Sequence, residues 1–141
     1  MFAAALALTC LTLWTAPALP AVVVTDGWTR ATPPGADNGS GYLTIHATAA
    51  DRLIAVETAA ARRGEIHSMS MAGGTMTMRP LPEGIEIPAG KTIALAPGGL
   101  HLMFFGIRAP FVAGAKIPIT LRFEKAGPIR VELEVRPIGA R

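Results

Sequence analysis

Short runs in which apolar and polar residues alternate fill the chain from residue 22 onward, and Gly and Pro interrupt them repeatedly. The last run, Ile129–Val135, is the clearest, with apolar residues at every second position and Arg or Glu between them. A period of two places the apolar side chains on one face and is typical of a half-buried β-strand. The pattern predicts an all-β domain over 22–141, folded as an antiparallel β-sandwich.

The strand segments that this pattern predicts, with the first two taken together, are Val22–Val24, Trp28–Ala31, Gly41–Ala47, Arg52–Thr58, Glu65–Met69, Thr75–Arg79, Lys91–Leu95, His101–Phe105, Ile117–Glu124 and Ile129–Val135. Helix-forming residues break the pattern only at Ala59–Arg63. Because they are too few for a stable helix and Gly64 follows them, we interpret them as a connection. The sequence contains no internal repeat that would divide the domain.

Composition excludes several classes of protein. The 141 residues are half hydrophobic and only 16% charged, which argues against disorder. The formal net charge is +3, and because the Lys and Arg residues form no basic stripe, we expect no nucleic-acid partner. We find no paired carboxylates and no nucleophile motif that would support an enzyme.

The N-terminus is predicted to be a signal peptide that ends at Ala18, or as late as Ala21. Met1–Leu19 contains no charged residue, and Phe2–Trp14 has the length of a signal-peptide apolar region. The run is short for a membrane span, so we expect no span in the mature, exported protein. The alternatives are an uncleaved anchor, a buried helix, or a lipoprotein attached through Cys10, whose preceding residues match a lipid-attachment signal poorly.

Histidine and methionine are crowded into one window of the chain. They alternate with other residues in three pieces, which are His67-Ser68-Met69-Ser70-Met71, Thr75-Met76-Thr77-Met78 and His101-Leu102-Met103. In a strand, residues two apart share a face, so each piece can aim its His and Met side chains at one spot. The spacer Ala72-Gly73-Gly74 suits a hairpin turn that brings His67 opposite Met76–Met78. The spacing alone does not bring His101 to them.

The donor chemistry indicates a soft metal. Thioether and imidazole together suit Cu(I) far better than Zn, Mg or Ca, and no Asp or Glu occupies these His and Met positions. The alternative is that the methionines fill the core, which fits Met103 best because it precedes two phenylalanines. The other methionines have Ser, Ala, Thr or Arg as neighbours, which favours a metal site. The third histidine, His46, is predicted to lie on the surface.

The arrangement of these residues resembles the PCu(A)C family of periplasmic copper chaperones. The signature is His67, ten residues, Met78, twenty-two residues and His101-x-Met103. The matching flanks are Trp28-Thr29-Arg30-Ala31-Thr32-Pro33-Pro34-Gly35, Gly41-Tyr42-Leu43-Thr44, Met76-x-Met78-Arg79-Pro80, Ile87-Pro88-Ala89-Gly90 and Pro97-Gly98-Gly99.

The resemblance implies a cupredoxin-like Greek-key β-sandwich that binds one Cu(I) near its surface. The metal ligands that it implies are His67, Met78, His101 and Met103. The secondary candidates are Met69, Met71 and Met76. The resemblance also implies a role in supplying copper to cytochrome c oxidase. Because the C-terminal end carries no His- and Met-rich tail, we expect no second site there.

The sequence therefore predicts a non-enzymatic, exported and monomeric Cu(I) metallochaperone that acts by ligand exchange. Its acceptor is expected to be an oxidase subunit or an assembly factor that presents cysteines. The alternatives are a periplasmic copper sequestration or tolerance protein, and a metal-free structural β-sandwich. A blue-copper electron carrier is disfavoured because such sites need a thiolate, and the lone cysteine falls in the signal peptide.

Overall fold

The computed structural model describes residues 11–16 and 20–140, and the strands lie in the second of these ranges. In chain order the strands are β1 Val22–Arg30, β2 Asn38–Ala47, β3 Asp51–Glu57, β4 Ala61–Ala72, β5 Thr75–Pro80, β6 Ile85–Ile87, β7 Thr92–Leu95, β8 His101–Ile107, β9 Lys116–Phe123 and β10 Gly127–Arg136. No helix occurs in the described ranges. The all-β prediction is confirmed.

One hydrogen-bonded path joins the strands in the order β5-β4-β8-β2-β1-β10-β9-β3-β6, and β7 pairs with β2 beside it. The inward-facing apolar side chains from both ends of this path share one core. Its fully buried members include Leu43, Leu53, Leu102, Phe104, Leu121 and Leu133. The fold is the predicted cupredoxin-like sandwich, and the edge strand β5 with its neighbours β4 and β8 carries the candidate ligands.

The sheet is mixed, because β1 and β10 run parallel, with Trp28 paired to Glu134. This pair differs from the expectation of a purely antiparallel sandwich. A short hairpin forces antiparallel pairing, but β1 and β10 come from opposite ends of the domain and no hairpin joins them. Their relative direction follows from the path of the whole sheet, which local alternation does not encode.

Strand β4 is longer than the sequence predicts. It begins at Ala61, which is buried and pairs with Ile107 of β8. The interpretation of Ala59–Arg63 as a connection was therefore wrong for its last three residues. Pairing with β8 outweighs the weak helix preference of Ala and Arg, as tertiary context commonly does.

Two further strand details were not predicted. Strand β6 is only three residues long, and Ile85 and Ile87 are its buried members, so its alternation is too short to recognise. Strand β1 is continuous, but its register to β2 shifts between Thr25 and Trp28. The shift coincides with Asp26, whose φ of 53° is unusual for a residue with a side chain. A β-bulge of this kind explains why the apolar pattern of β1 is interrupted.

The N-terminal apolar run is only partly described. Residues 11–16 form no regular secondary structure, and Leu11, Leu13 and Trp14 are highly exposed. The alternative of a buried helix is therefore not supported over this stretch. Cys10 and the predicted cleavage site at Ala18 lie outside the described residues. The part of the chain that the structure describes contains no helix that is long and apolar enough to cross a membrane.

Candidate metal centre

Strands β4 and β5 form a hairpin around a two-residue turn, Gly73-Gly74. Both glycines have positive φ, 59° and 77°, which glycine adopts readily and which tight hairpin turns require. The predicted turn is confirmed. The register differs from the expectation, because His67 lies opposite Pro80, and Met78 lies opposite Met69. Met78 is thus the diagonal neighbour of His67, at a separation that a long side chain can span.

The two histidines meet across the next strand pair. His67 of β4 is paired directly with His101 of β8, and their ring centroids are 5.7 Å apart. The adjacent residues Ile66 and Leu102 are buried in the core, so both imidazoles lie on the opposite, outer face of the sheet. Both are nevertheless buried, with exposures of 6% and 3%. The sequence did not predict which strand would bring His101 to the first two pieces.

Each imidazole is fixed by one hydrogen bond and keeps its other nitrogen free. His67 Nε2 lies 2.8 Å from a carboxylate oxygen of Glu65, and His101 Nδ1 lies 3.0 Å from the carbonyl oxygen of Gly99. Carboxylate and carbonyl oxygens only accept hydrogen bonds, so these nitrogens carry the protons. In the neutral rings, His67 Nδ1 and His101 Nε2 then hold lone pairs. Among the described side chains they are the two buried nitrogen or oxygen atoms that lack a hydrogen-bond partner.

Glu65 supports His67 from the same strand face. One carboxylate oxygen accepts a hydrogen bond from His67, and the other forms an ion pair with Arg63, whose Nε lies 2.9 Å away. The Arg63 guanidinium in turn lies 4.7 Å from the centre of the Phe105 ring. A carboxylate on the non-ligating nitrogen of a metal-binding histidine sets its tautomer and its orientation. Glu65 is therefore placed to orient His67.

The methionine ligands of the prediction flank this histidine pair. Met103 lies two residues after His101 on the same face, opposite Glu65 in β4, and its sulfur is 3.6 Å from Ser40 Oγ. It is half-buried and lies outside the core, so the core-filler interpretation does not hold for it. Met78 is 46% exposed on the edge strand β5. The predicted ligands thus share one outer face of β5, β4 and β8, which we call the His/Met face.

The secondary candidates continue this face away from the histidines. Met69 is half-buried opposite Met78, and Met71 lies opposite Met76 beside the turn, where both are exposed. His46, by contrast, lies on β2 and its Nδ1 is 2.9 Å from the hydroxyl of Thr92. It is exposed, as the sequence predicts.

The available donors restrict the metals that this face can hold. Within residues 11–16 and 20–140, no three side chains of His, Cys, Asp or Glu are grouped so that they could hold a metal ion. The side-chain donors that share the outer face with the His67–His101 pair include the thioethers of Met78 and Met103, and a mixed imidazole and thioether set suits Cu(I). The two unpartnered lone pairs fit such an ion, because binding it would satisfy both buried nitrogens.

Sequence reasoning missed the supporting residues of this centre. No Asp or Glu occupies the His and Met positions themselves, but no role was assigned to Glu65, which is two residues before His67 and therefore on the same face. The alternation rule that grouped His67 with Met69 could have found it. Ser40 and the Gly99 carbonyl gave no such signal, because they approach through non-local strand pairing or a loop.

Comparison with known proteins places this chain in a family. A family model described as "Putative lipoprotein LpqE-like" matches residues 22–135. The chain is also 33% identical, over 115 residues, to "Putative lipoprotein Lxx21020" of Leifsonia xyli subsp. xyli (strain CTCB07). That alignment covers 82% of this chain and 69% of the relative.

Solved structures of similar fold include two PCuAC domains. The copper-bound PCuAC domain from PmoF2 is 26% identical with a TM-score of 0.72, and the match covers 86% of this chain and 97% of that domain. The apo PCuAC domain from PmoF1 is 26% identical with a TM-score of 0.69, covering 83% and 94%. The solution structure of CuI-DR1885 from Deinococcus radiodurans is 28% identical with a TM-score of 0.63, covering 86% and 81%. The chain belongs to the LpqE-like family, which is the PCu(A)C family.

Proposed function

We propose that this protein is an exported Cu(I) metallochaperone. The observation that carries the proposal is the pair of buried imidazoles, in which His67 Nδ1 and His101 Nε2 lack hydrogen-bond partners while the opposite nitrogens are fixed. Burying a polar atom without a partner is costly, and native structures rarely leave one without a reason. A metal ion that accepts both lone pairs supplies that reason.

The identity of the metal rests on the donors and on the relatives. His67 and His101 supply nitrogen, and Met78 and Met103 supply soft sulfur from the same face. Neutral thioethers favour Cu(I) over the harder divalent ions. Two of the similar structures are the copper-bound PCuAC domain from PmoF2 and CuI-DR1885. We assign Cu(I) as the cargo of this chain.

Unequal burial of the ligands supports transfer by stepwise exchange. The histidines are almost fully buried, whereas Met78 is 46% exposed at the edge of the sheet. An incoming ligand can therefore displace the Met78 sulfur first, while His67 and His101 still hold the ion. Each exchange replaces one bond to Cu(I) with another and leaves its oxidation state unchanged. An acceptor that presents cysteine thiolates would bind the soft ion strongly enough to complete the transfer.

The acceptor we propose is an oxidase subunit or an assembly factor, with cytochrome c oxidase as the destination. The alternative is a sequestration protein that keeps copper from other targets. Mixing the Cu(I)-loaded protein with a dithiol peptide distinguishes them. A chaperone passes the ion to the peptide within the mixing experiment, whereas a sequestration protein retains it at equal concentrations of the two.

The export route has its own test. The family description names lipoproteins, and Cys10 is the one cysteine of the chain. Mass spectrometry of the protein recovered from the host cell decides the question. Cleavage after Ala18 gives an unmodified chain without cysteine, whereas lipid attachment gives an N-terminal Cys10 that carries acyl groups. Either result supports export, whereas a full-length chain found only in the cytoplasmic fraction contradicts it.

The experiment that tests the site is a Cu(I) titration of the protein against a competing chelator, without oxygen. We expect about one tightly held Cu(I) per chain, because the four ligands of the site form one coordination set. Substitution of His67, Met78, His101 or Met103 by Ala should weaken binding in each case. His46→Ala is the matched control, because His46 is exposed and lies away from the His/Met face.

Three outcomes would contradict the proposal. Unchanged affinity in His101→Ala or Met103→Ala removes strand β8 from the site. Loss of all Cu(I) on a desalting column favours a metal-free structural sandwich. An intense blue colour with Cu(II) indicates a thiolate centre and favours an electron carrier.

A further inference from the structure

The β4–β5 hairpin carries more methionine than the four-ligand site uses. Met69 pairs directly with Met78, and Met71 pairs directly with Met76, so two methionine pairs follow one another along one face. The other face of the hairpin presents hydroxyl groups, including the directly paired Ser70 and Thr77. The hairpin therefore separates soft donors from polar side chains on its two surfaces.

Core packing does not explain the outer methionine pair. Met71 is 66% exposed and Met76 is 60% exposed, and neither belongs to the core. Methionine is common in cores because its flexible side chain fills irregular gaps, but no gap is filled here. The pair lies beside the turn at the free edge of the sheet. Two thioethers directed into solvent at one point suggest a ligand.

Strand geometry allows these sulfurs to converge. Side chains that are directly opposite in an antiparallel pair have Cβ atoms about 4.5–5.5 Å apart, and methionine has three rotatable side-chain bonds. Along the strand, residues two apart are separated by roughly 6.5–7 Å. From the turn inward, the face presents Met71 with Met76, then Met69 with Met78, and then His67. Each step is within the reach of neighbouring side chains.

We propose that Met69, Met71 and Met76 form a second, thioether-only subsite that takes a soft monovalent metal ion, and that Cu(I) binds there before it moves to the histidines. The subsite alone needs only the hairpin, whereas the onward movement rests on the function proposed above. In each move one Cu–S bond breaks and one Cu–S or Cu–N bond forms. No electron is transferred, and the thioethers release no proton.

The first test places a probe ion on the hairpin. Ag(I) is a redox-inert, soft monovalent ion, and methionine methyl groups labelled with carbon-13 report its position by NMR. We expect the first equivalent to shift the Met78 and Met103 methyls and the second to shift those of Met71 and Met76. If the Met71 and Met76 methyls do not move after the second equivalent, the subsite does not exist.

The second test measures the rate at which the histidine site fills. Cu(I) is supplied as its acetonitrile complex, and loading is followed by stopped flow in the wild type and in the Met71→Leu/Met76→Leu variant. Leucine keeps the apolar bulk and removes the sulfur. We expect loading to be slower than in the wild type, with the final affinity unchanged. The matched control, Ser70→Ala/Thr77→Ala, alters the opposite face and should load at the wild-type rate.

Failure of this proposal and failure of the proposed function have different signatures. Equal loading rates in the wild type and the leucine variant overturn the relay. Shifted Met71 and Met76 methyls, with no change in the His67 and His101 ring resonances at any metal concentration, leave the subsite intact and refute the histidine site.

Discussion

Two groups of buried polar side chains in this sandwich are satisfied in different ways. The Asp51 carboxylate accepts three backbone N–H groups, from β3 and from the β9–β10 turn, at 2.7 to 3.0 Å. His67 and His101 each have one nitrogen fixed and one buried nitrogen without a partner. Burial is similar in the two groups, so the difference lies in what completes their bonding.

The difference separates a residue that serves the fold from residues that serve a ligand. Asp51 finds all its partners within the chain, and it ties the start of β3 to the turn that joins β9 and β10. An unpartnered buried acceptor instead costs about 1–3 kcal/mol, which the folded protein bears at both histidines. We therefore expect substitutions at Asp51 to change stability and those at the histidines to change metal binding.

The largest effect is expected when both imidazoles are removed. In His67→Leu/His101→Leu, Cu(I) affinity should fall by more than about 100-fold, since even the supporting residues of a metal site contribute 10–100-fold. The free energy of unfolding of the metal-free protein should not fall, because leucine has similar bulk and leaves no orphaned nitrogen. Chelator competition and urea unfolding measure the two quantities. If the variant binds Cu(I) normally but unfolds more readily, the histidines serve the stability of the fold and not metal binding.

Glu65 sharpens the comparison, because it acts on the metal only through His67. Glu65→Ala should weaken Cu(I) binding by about 10–100-fold, since the imidazole loses the group that sets its tautomer. Glu65→Gln keeps an acceptor and should retain much of the affinity. Nitrogen-15 NMR of the His67 ring provides the distinguishing readout, because a change of tautomer should accompany the loss in Glu65→Ala. Glu132→Ala, at an exposed position of β10, is the control.

Asp51→Asn tests whether the Asp51 carboxylate contributes to stability and not to copper binding. The amide group cannot accept all three backbone N–H groups, so at least one buried donor loses its partner, at a cost of about 1–3 kcal/mol in the free energy of unfolding. Cu(I) affinity should be unchanged. Urea unfolding of the metal-free variant measures the loss. The distinction drawn here is contradicted if copper binding weakens while the unfolding free energy stays at the wild-type value.

The smallest effect is the acid dependence that Asp51 confers. Burial by itself raises the pKa of the Asp51 carboxyl, but the backbone N–H donors and the charge of Lys125 outweigh it and hold the pKa below its usual value. A lowered pKa in the folded state means that the contribution to stability is present above the unfolded value of about 3.9. It is lost as the pH falls through the lower, folded value. The stability difference between wild type and Asp51→Asn should therefore narrow as the pH falls below about 4, as unfolding across pH measures.

Local pattern predicted much of this molecule, because it encodes which face a side chain occupies. The alternation in Ile129–Val135 predicted β10 correctly, and Gly73-Gly74 predicted the hairpin. The local pattern of apolar and polar residues does not encode which strands pair with each other in the sheet. The direct pairing of His67 with His101 and the parallel pairing of β1 with β10 depend on the whole core.

In the candidate site, too, the sequence predicted which side chains share a strand face but not which groups approach from other strands and loops. The spacing of His67 and Met69 shows that they share a face, whereas the Gly99 carbonyl that fixes His101 comes from a loop and leaves no periodic trace. The hairpin register was missed because the predicted spacer included Ala72, which in the structure pairs with Thr75 and leaves a two-residue turn. The unpartnered nitrogens, which carry the functional argument, are visible only once the strands are assembled.

X-ray absorption at the copper edge of the protein loaded with one equivalent of Cu(I) tests the central claim most directly. It counts the nitrogen and sulfur atoms bound to the metal without any substitution. The account predicts two imidazole nitrogens from His67 and His101 and two thioether sulfurs from Met78 and Met103. A coordination shell made only of sulfur, or only of nitrogen and oxygen, would contradict it.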